Sequence, residues 1–302
     1  MEIIKGKKFD FLGKRKFAFA ISAVLSIIGL VAAFAIPLGR ANLGTDFSGG
    51  VAVQFMFDNP FHVEEVREVL RKGGFADADL QEFAGSTRLL VRLKRKAELS
   101  GLSDSIGAVL KKDMPLSPFA IEFTTEVGPT VGKKLQKDAL MAVGISLLGI
   151  LVYVAWRFEF RFGVAAVAAT FHDVLAILGV FFVLHKEINL LIITALLTLA
   201  GYSLTDTVVV FDRIRENLKK HTKEDTVPLI NRSINEVLGR TIVTSGTTLL
   251  ALAALLIAGG EVIRDFSLAL FLGVIVGTYS SIFVASPLLL VWRKKSGKMM
   301  KA

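Results

Sequence analysis

The strongest constraint on this chain is a set of apolar stretches too long for the interior of a small soluble domain. Five of them, 17–36, 138–156, 163–184, 190–211 and 266–291, are close to or above the roughly 20 residues that a helix needs to cross a bilayer. A sixth, 241–258 (TIVTSGTTLLALAALLIA), is near the minimum length and rich in Thr and Ser at its first end. With 302 residues, 53% of them hydrophobic, and a mean hydropathy of +0.58, the chain is expected to be an α-helical integral membrane protein with six transmembrane helices. Stretch 17–36 follows basic residues as a signal peptide does. It is longer than an apolar signal core and continues through Pro37 into LGRANLG without a clear small-residue cleavage site, so it reads as a retained helix.

Charge sets the orientation. Lys5, Lys7, Lys8, Lys14, Arg15 and Lys16 precede the first span, and Arg293, Lys294, Lys295, Lys298 and Lys301 follow the last. Both termini are therefore expected in the cytoplasm, which an even number of spans requires. The 212–240 loop adds Arg213, Arg215, Lys219, Lys220, Lys223 and Arg232 to that side, whereas HKEIN and GGEVIRD on the other are nearly balanced. The net charge of +9 is thus mostly a topology signal and needs no nucleic acid to explain it.

The sequence divides into 1–39, a cytoplasmic N-terminus with the first span; 40–133, a hydrophilic block placed outside the cytoplasm; and 134–302, the remaining spans with a basic tail. Within the block, VAVQFMF (51–57), DLQEF (79–83), STRLLVRL (86–93) and FAIEFTTEV (119–127) alternate like strands. Residues 62–75 and 97–112 read as amphipathic helices. The order β-α-β-β-α-β predicts an α+β ferredoxin-like domain, a fold that names no function by itself. In the 212–240 loop, VPLINRSINEVLGR places Leu229, Ile230, Ile234, Val237 and Leu238 on one side, as in a helix lying on the membrane surface or one packed on the other loops.

Ionisable residues inside spans are the candidates for chemistry. Asp206 lies in the inner half of the fourth span, within GYSLTDTVVVFDRIREN, before the charges of Asp212 and Arg213 that end it. Asp173 falls near the middle of the third, beside His172, and Arg240 opens the fifth. A charged group at the bilayer centre costs about 3 kcal/mol on insertion scales, so each requires a partner or a function. The fourth span runs inward and the fifth outward, so Asp206 and Arg240 reach similar depth if those helices are neighbours. A carboxylate pulled one way by desolvation and the other by a guanidinium is the chemistry of a proton relay. GTDFSGG (44–50), after the first span, is turn chemistry. No G-x-x-x-x-G-K-[ST] phosphate loop occurs. The absence of cysteine excludes disulfides and thiolate metal sites, and His62, His172, His185 and His221 lack ligand spacing, so no cofactor is expected beyond the proton itself.

At GTDFSGG, HDV in the third span, GYSLTDTVVVFDRIREN and RTIVTSGTT, the sequence resembles the SecF family, the smaller membrane subunits of the SecDF complex of bacterial protein export. The resemblance covers almost the whole chain. It implies a multi-pass protein of the bacterial inner membrane that pairs with SecD in a twelve-span, RND-like unit. It further implies association with the SecYEG channel and YajC, and inward proton flow that helps draw preproteins across after SecA has acted. In the family, the fourth-span aspartate and the arginine opening the fifth span are implicated in proton transport; they fall on Asp206 and Arg240. The shared motifs also mark Gly44, Asp46, Phe47, Gly49, Gly50, Gly201, Asp212 and Arg213 as family positions. Thr205 stands where members often have Asn. The chain is expected not to be an enzyme. Two other readings are a passive scaffold of the Sec channel and half of an RND-type exporter.

Overall fold

The computed structural model describes residues 9–83, 86–94, 101–114, 117–220 and 224–290. The basic residues at Lys5, Lys7, Lys8, Lys223 and 293–301 lie outside them, as does the 97–100 part of the second expected amphipathic helix. Two compact units emerge, one formed by Met1–Asn42, Met141–Lys186 and Leu191–Ala302, the other by Leu43–Leu140 and Glu187–Leu190.

Among the described residues, six helices are long and apolar enough to cross a membrane. They are α1 (Arg15–Ala35, preceded by a 3-10 turn at Leu12–Lys14), α5 (Pro129–Arg157), α6 (Phe160–Val183), α7 (Leu190–Lys220), α8 (Thr226–Ala258) and α9 (Glu261–Ser280). The last continues through a π-helical turn, Ser281–Ala285, into helix up to Leu290. Pro287 accounts for that turn: it has no N–H to offer the carbonyl four residues back and its ring crowds that carbonyl, so the helix widens just before it. The Ser286 hydroxyl donates to the Ser281 carbonyl at 2.8 Å, satisfying an acceptor beside the irregularity. Gly259 and Gly260, both extended, separate α8 from α9.

Helices α7 and α8 run well past the apolar stretches that define their spans. The segment expected as a separate loop helix is the first part of α8. Its Leu229, Ile230 and Ile234 are fully buried in a cluster with Val154, Phe158, Phe162, Phe211 and Ile214. Its apolar face is therefore packed against protein, covered by α5, α6 and α7.

Helices α1 and α6 approach most closely at a pair of glycines. A Cβ at Gly179 would come within 2.8 Å of the Gly29 nitrogen, and one at Gly29 would run into the Leu175 carbonyl. Without a solvent-driven hydrophobic effect between helices in lipid, such close backbone contact is a main source of association. Gly29→Leu is expected to separate the two helices and cost at least about 3 kcal/mol. Thermal unfolding of the solubilised protein checks this, with Gly144→Ala as a control at a position that faces open space.

The second unit holds a short helix α2 (Thr45–Ser48), then β1 (Gly50–Phe57), α3 (Val63–Lys72), β2 (Asp79–Glu82), β3 (Arg88–Leu93), α4 (Leu102–Asp113) and β4 (Phe119–Val127). The sheet order is β2-β3-β1-β4, and every neighbouring pair is antiparallel. Alternation does the sorting: Val51, Val53, Phe55, Phe57, Leu89, Val91 and Leu93 face one way, onto Val66, Leu70, Ile106 and Leu110 of the two helices. On the other face, Arg88 donates to both oxygens of Glu122 at 2.8 and 2.9 Å, and Gln54 adds a third bond at 2.9 Å. The Arg88 hydrogen bonds hold the Glu122 carboxyl below its usual value of 4.5, with burial opposing and Gln54 assisting.

Candidate functional site

Asp206 sits on α7 with its side chain half-buried. Its Oδ1 accepts the Thr241 hydroxyl of α8 at 2.9 Å, and its Oδ2 accepts Ser281 of the π-turn at 2.8 Å. A cleft of about 60 Å³, room for a few waters, is lined by Tyr202, Thr205, Asp206, Val209, Arg240 and Thr244. The aspartate and arginine singled out from the sequence therefore share one cleft. They are not ion-paired; Arg240 is exposed and makes no salt bridge among the described residues. What ties α7 to α8 at this level is Thr241, the residue after Arg240.

Asp173 lies elsewhere, fully buried among α6, α7 and α9. Its Oδ2 accepts Ser203 at 2.5 Å and Ser280 at 2.7 Å, while His172 Nδ1 sits 2.9 Å from its Oδ1. The His172 Nε2 is buried without a hydrogen-bond partner among the described residues. A carboxylate accepts several donors, and on protonation one of its oxygens becomes a donor, so a hydroxyl partner can respond by turning its own proton to another acceptor. Neither cluster resembles a metal centre: the described residues contain no group of three His, Cys, Asp or Glu side chains suited to hold an ion.

The remaining motif positions, Gly201 apart, make structural contacts. Gly44 starts α2, its carbonyl accepting the N–H groups of Phe47 and Ser48, and its own N–H bonds the Ile188 carbonyl at 3.0 Å. Asp46 Oδ2 accepts the Leu190 N–H at 3.0 Å, and Phe47 is buried. Gly49 and Gly50 have φ of +70° and +130°, and a Cβ at Gly50 would meet the Leu93 carbonyl, so this entry into β1 requires glycine. Gly201 lies on an exposed face of α7, facing open space. Asp212 pairs with Arg157 at 3.3 Å, and Arg213 pairs with Glu236 at 2.6 Å and Glu216 at 2.5 Å, knitting α5, α7 and α8 together beyond their apolar segments.

Sequence reasoning missed Ser203, Thr241, Ser280 and Ser281. The available signal was the polar run GTYSS (277–281) inside an otherwise apolar span, six residues ahead of a proline.

Residues 110–295 match the family described as "Protein export membrane protein SecD/SecF, C-terminal". A protein translocase subunit SecF from Thermodesulfovibrio yellowstonii is 52% identical over 298 residues, 98% of either chain. Another from Calditerrivibrio nitroreducens is 44% identical over 293 residues, 95% of either chain. A crystal structure of SecDF, a translocon-associated membrane protein from Thermus thermophilus, superposes with a TM-score of 0.85 at 38% identity over 96% of this chain. A SecDF crystal structure in a super-membrane-facing form gives 0.70 at 37% identity over 97%. This chain spans only 39% and 40% of those two chains. Sequence match along nearly its full length and agreement in backbone lead to one conclusion: the chain belongs to the SecD/SecF family of protein-export membrane proteins, among its SecF subunits.

Proposed function

We propose that this chain is the SecF-type part of a proton-driven complex that assists protein translocation across the bacterial cytoplasmic membrane. The observation that carries the reading is the cleft shared by Asp206 and Arg240, which sets a titratable acid beside a cation that has no salt bridge among the described residues, on two apolar helices. Both elements lie on a face that this chain leaves open, since Gly201, Thr205, Arg240 and Thr244 are all exposed. A guanidinium at that depth is costly facing lipid, and a second subunit of the SecD type would cover it. The length of the SecDF chains beyond this chain's match supports such a partner.

The rest of the reading follows the family. Protons are the coupling ion, and no other cofactor is required; the chain acts as an accessory transport factor without an enzymatic reaction of its own. SecYEG, SecA, YajC and the moving preprotein are the wider partners. The termini lie in the cytoplasm, and the block at 40–133, between 1–39 and 134–302, lies outside it. Its β-α-β-β-α-β order and β2-β3-β1-β4 sheet support a ferredoxin-like domain.

Two measurements test this. A cysteine at Ser86 should react with an impermeant thiol reagent from outside intact cells, and one at Lys220 should not; reversed labelling would overturn the topology. Vesicles holding this chain with a SecD-type partner should pass protons under an imposed gradient. Vesicles with this chain alone should stay tight, and equal flux from it alone would contradict a site shared between subunits.

A further inference from the structure

Four consecutive side chains, the last three of α9 and the first of the π-turn, reach four different helices. Thr278 bonds Ser245 of α8 at 2.7 Å, and Tyr279 donates to the Ala18 carbonyl of α1 at 2.7 Å. Ser280 bonds Asp173 of α6, and Ser281 bonds Asp206 of α7. Successive residues of a helix are turned by about 100°, so four in a row sweep most of its circumference. The run ends where the helix widens into the π-turn. Two adjacent serines thus touch the buried Asp173 and the half-buried Asp206, one just before the π-turn and one at its start.

Each serine also has a second acceptor. Ser280 lies 3.1 Å from the Gly277 carbonyl and Ser281 lies 3.0 Å from the Thr278 carbonyl. A hydroxyl has a single proton and can serve one acceptor at a time. When Asp206 is ionised, Ser281 donates to it. When a proton from the cleft binds the carboxylate, the new O–H donates to Ser281 Oγ, and the serine proton turns back to the Thr278 carbonyl. One proton is taken up, no other bond is broken, and the last α-helical turn before the π-turn gains a side-chain bond of the kind that bends helices. The same switch is available to Ser280 with Asp173 and Gly277.

We propose that Ser280 and Ser281 are positioning residues that convert the protonation of Asp173 and Asp206 into a change where α9 enters its π-turn, and so pass it to the four helices that residues 278–281 join. The other ionisable groups around the turn are His172 on α6, Arg240 on α8 and Tyr279 on α9 itself; α1 presents Ser22 to Tyr279 at 3.1 Å. Gly277 packs against Ser203, a Cβ there lying 3.1 Å from the serine Cβ, so the turn has little slack. This inference rests on the relay reading for its purpose, though not for its test.

The test is a double-mutant cycle read by amide hydrogen exchange across 274–290, in the full chain assembled with its SecD-type partner at one fixed pH. Asp206→Asn imitates the protonated acid by supplying an N–H donor. In the wild-type background it should change exchange at the π-turn by on the order of fivefold or more, the scale of a real coupling between sites. In a Ser281→Ala background the same substitution should change it less than about twofold, and in Ser281→Thr, which keeps the hydroxyl, the response should return. An equal response with and without the serine hydroxyl overturns the proposal, as does no response in the wild type. Should Ser281→Ala fail to assemble, the cycle is read with Ser280→Ala and Asp173→Asn. Gradient-driven translocation measured on the same Asp206→Asn complex separates the two ideas. If stimulation is lost but the cycle shows no coupling, the relay stands and the serine switch falls. If stimulation survives, the relay falls while the cycle still decides the switch.

Discussion

Asp173→Ala is expected to unfold or deplete the membrane unit, whereas Asp173→Asn should leave it folded. The alanine removes the acceptor for Ser203 and Ser280 and the partner of His172 Nδ1 in one step, all in a site with no access to water. His172 already has one orphaned ring nitrogen, so it would be left with none satisfied. Interhelical hydrogen bonds in membranes average about 0.6 kcal/mol, while leaving a buried polar group unsatisfied costs about 1–3 kcal/mol. Ser280 can turn to the Gly277 carbonyl, so two groups, Ser203 and His172 Nδ1, lose their partner outright, which places the loss at about 2–6 kcal/mol, enough to remove most assembled protein from a marginally stable chain. Asparagine retains an acceptor and the side-chain volume. The check is the level of full-length protein recovered with its partner. Alanine accumulating like wild type would show that these hydroxyls find other acceptors.

Asp206→Asn is expected to preserve assembly and abolish the response to a proton gradient. Its amide oxygen can accept Thr241, and its amide nitrogen can face Ser281, whose hydroxyl has the Thr278 carbonyl at 3.0 Å as an alternative. The substitution therefore has little structural effect yet removes the only carboxyl group among the described residues that line the cleft. Arg240→Met should give the same loss from the other side of the cleft. Arg240→Lys separates two roles: a retained response means that charge suffices, and a lost one means that the planar guanidinium is required.

The parts of the fold visible in the sequence were those that depend on local pattern. Span-length apolar runs marked all six membrane helices, and strand alternation gave the β-α-β-β-α-β order to within a few residues. The continuation of α8 across 226–258 was not visible, because the apolar side of Leu229, Ile230 and Ile234 looks the same whether lipid or protein covers it. Sheet order depends on contacts between distant segments and likewise leaves no local trace. At the site, Asp206 and Arg240 stood out because charge in a span is expensive and rare. Ser203, Ser280 and Ser281 did not, since a serine in a span can satisfy itself on its own helix, and the Thr278 carbonyl lies 3.0 Å from the Ser281 hydroxyl. Pro287 was the one sequence mark of the π-turn.

The central claim is that a proton carried by Asp206 drives translocation. Preprotein movement into vesicles containing the assembled complex and the Sec channel, with and without an imposed proton gradient, addresses it most directly. The wild-type complex should be stimulated by the gradient, and the Asp206→Asn complex, present in equal amount, should run at the wild-type rate measured without one. An assembled, abundant Asp206→Asn complex still fully stimulated by the gradient would contradict the claim and leave the chain a passive scaffold of the channel.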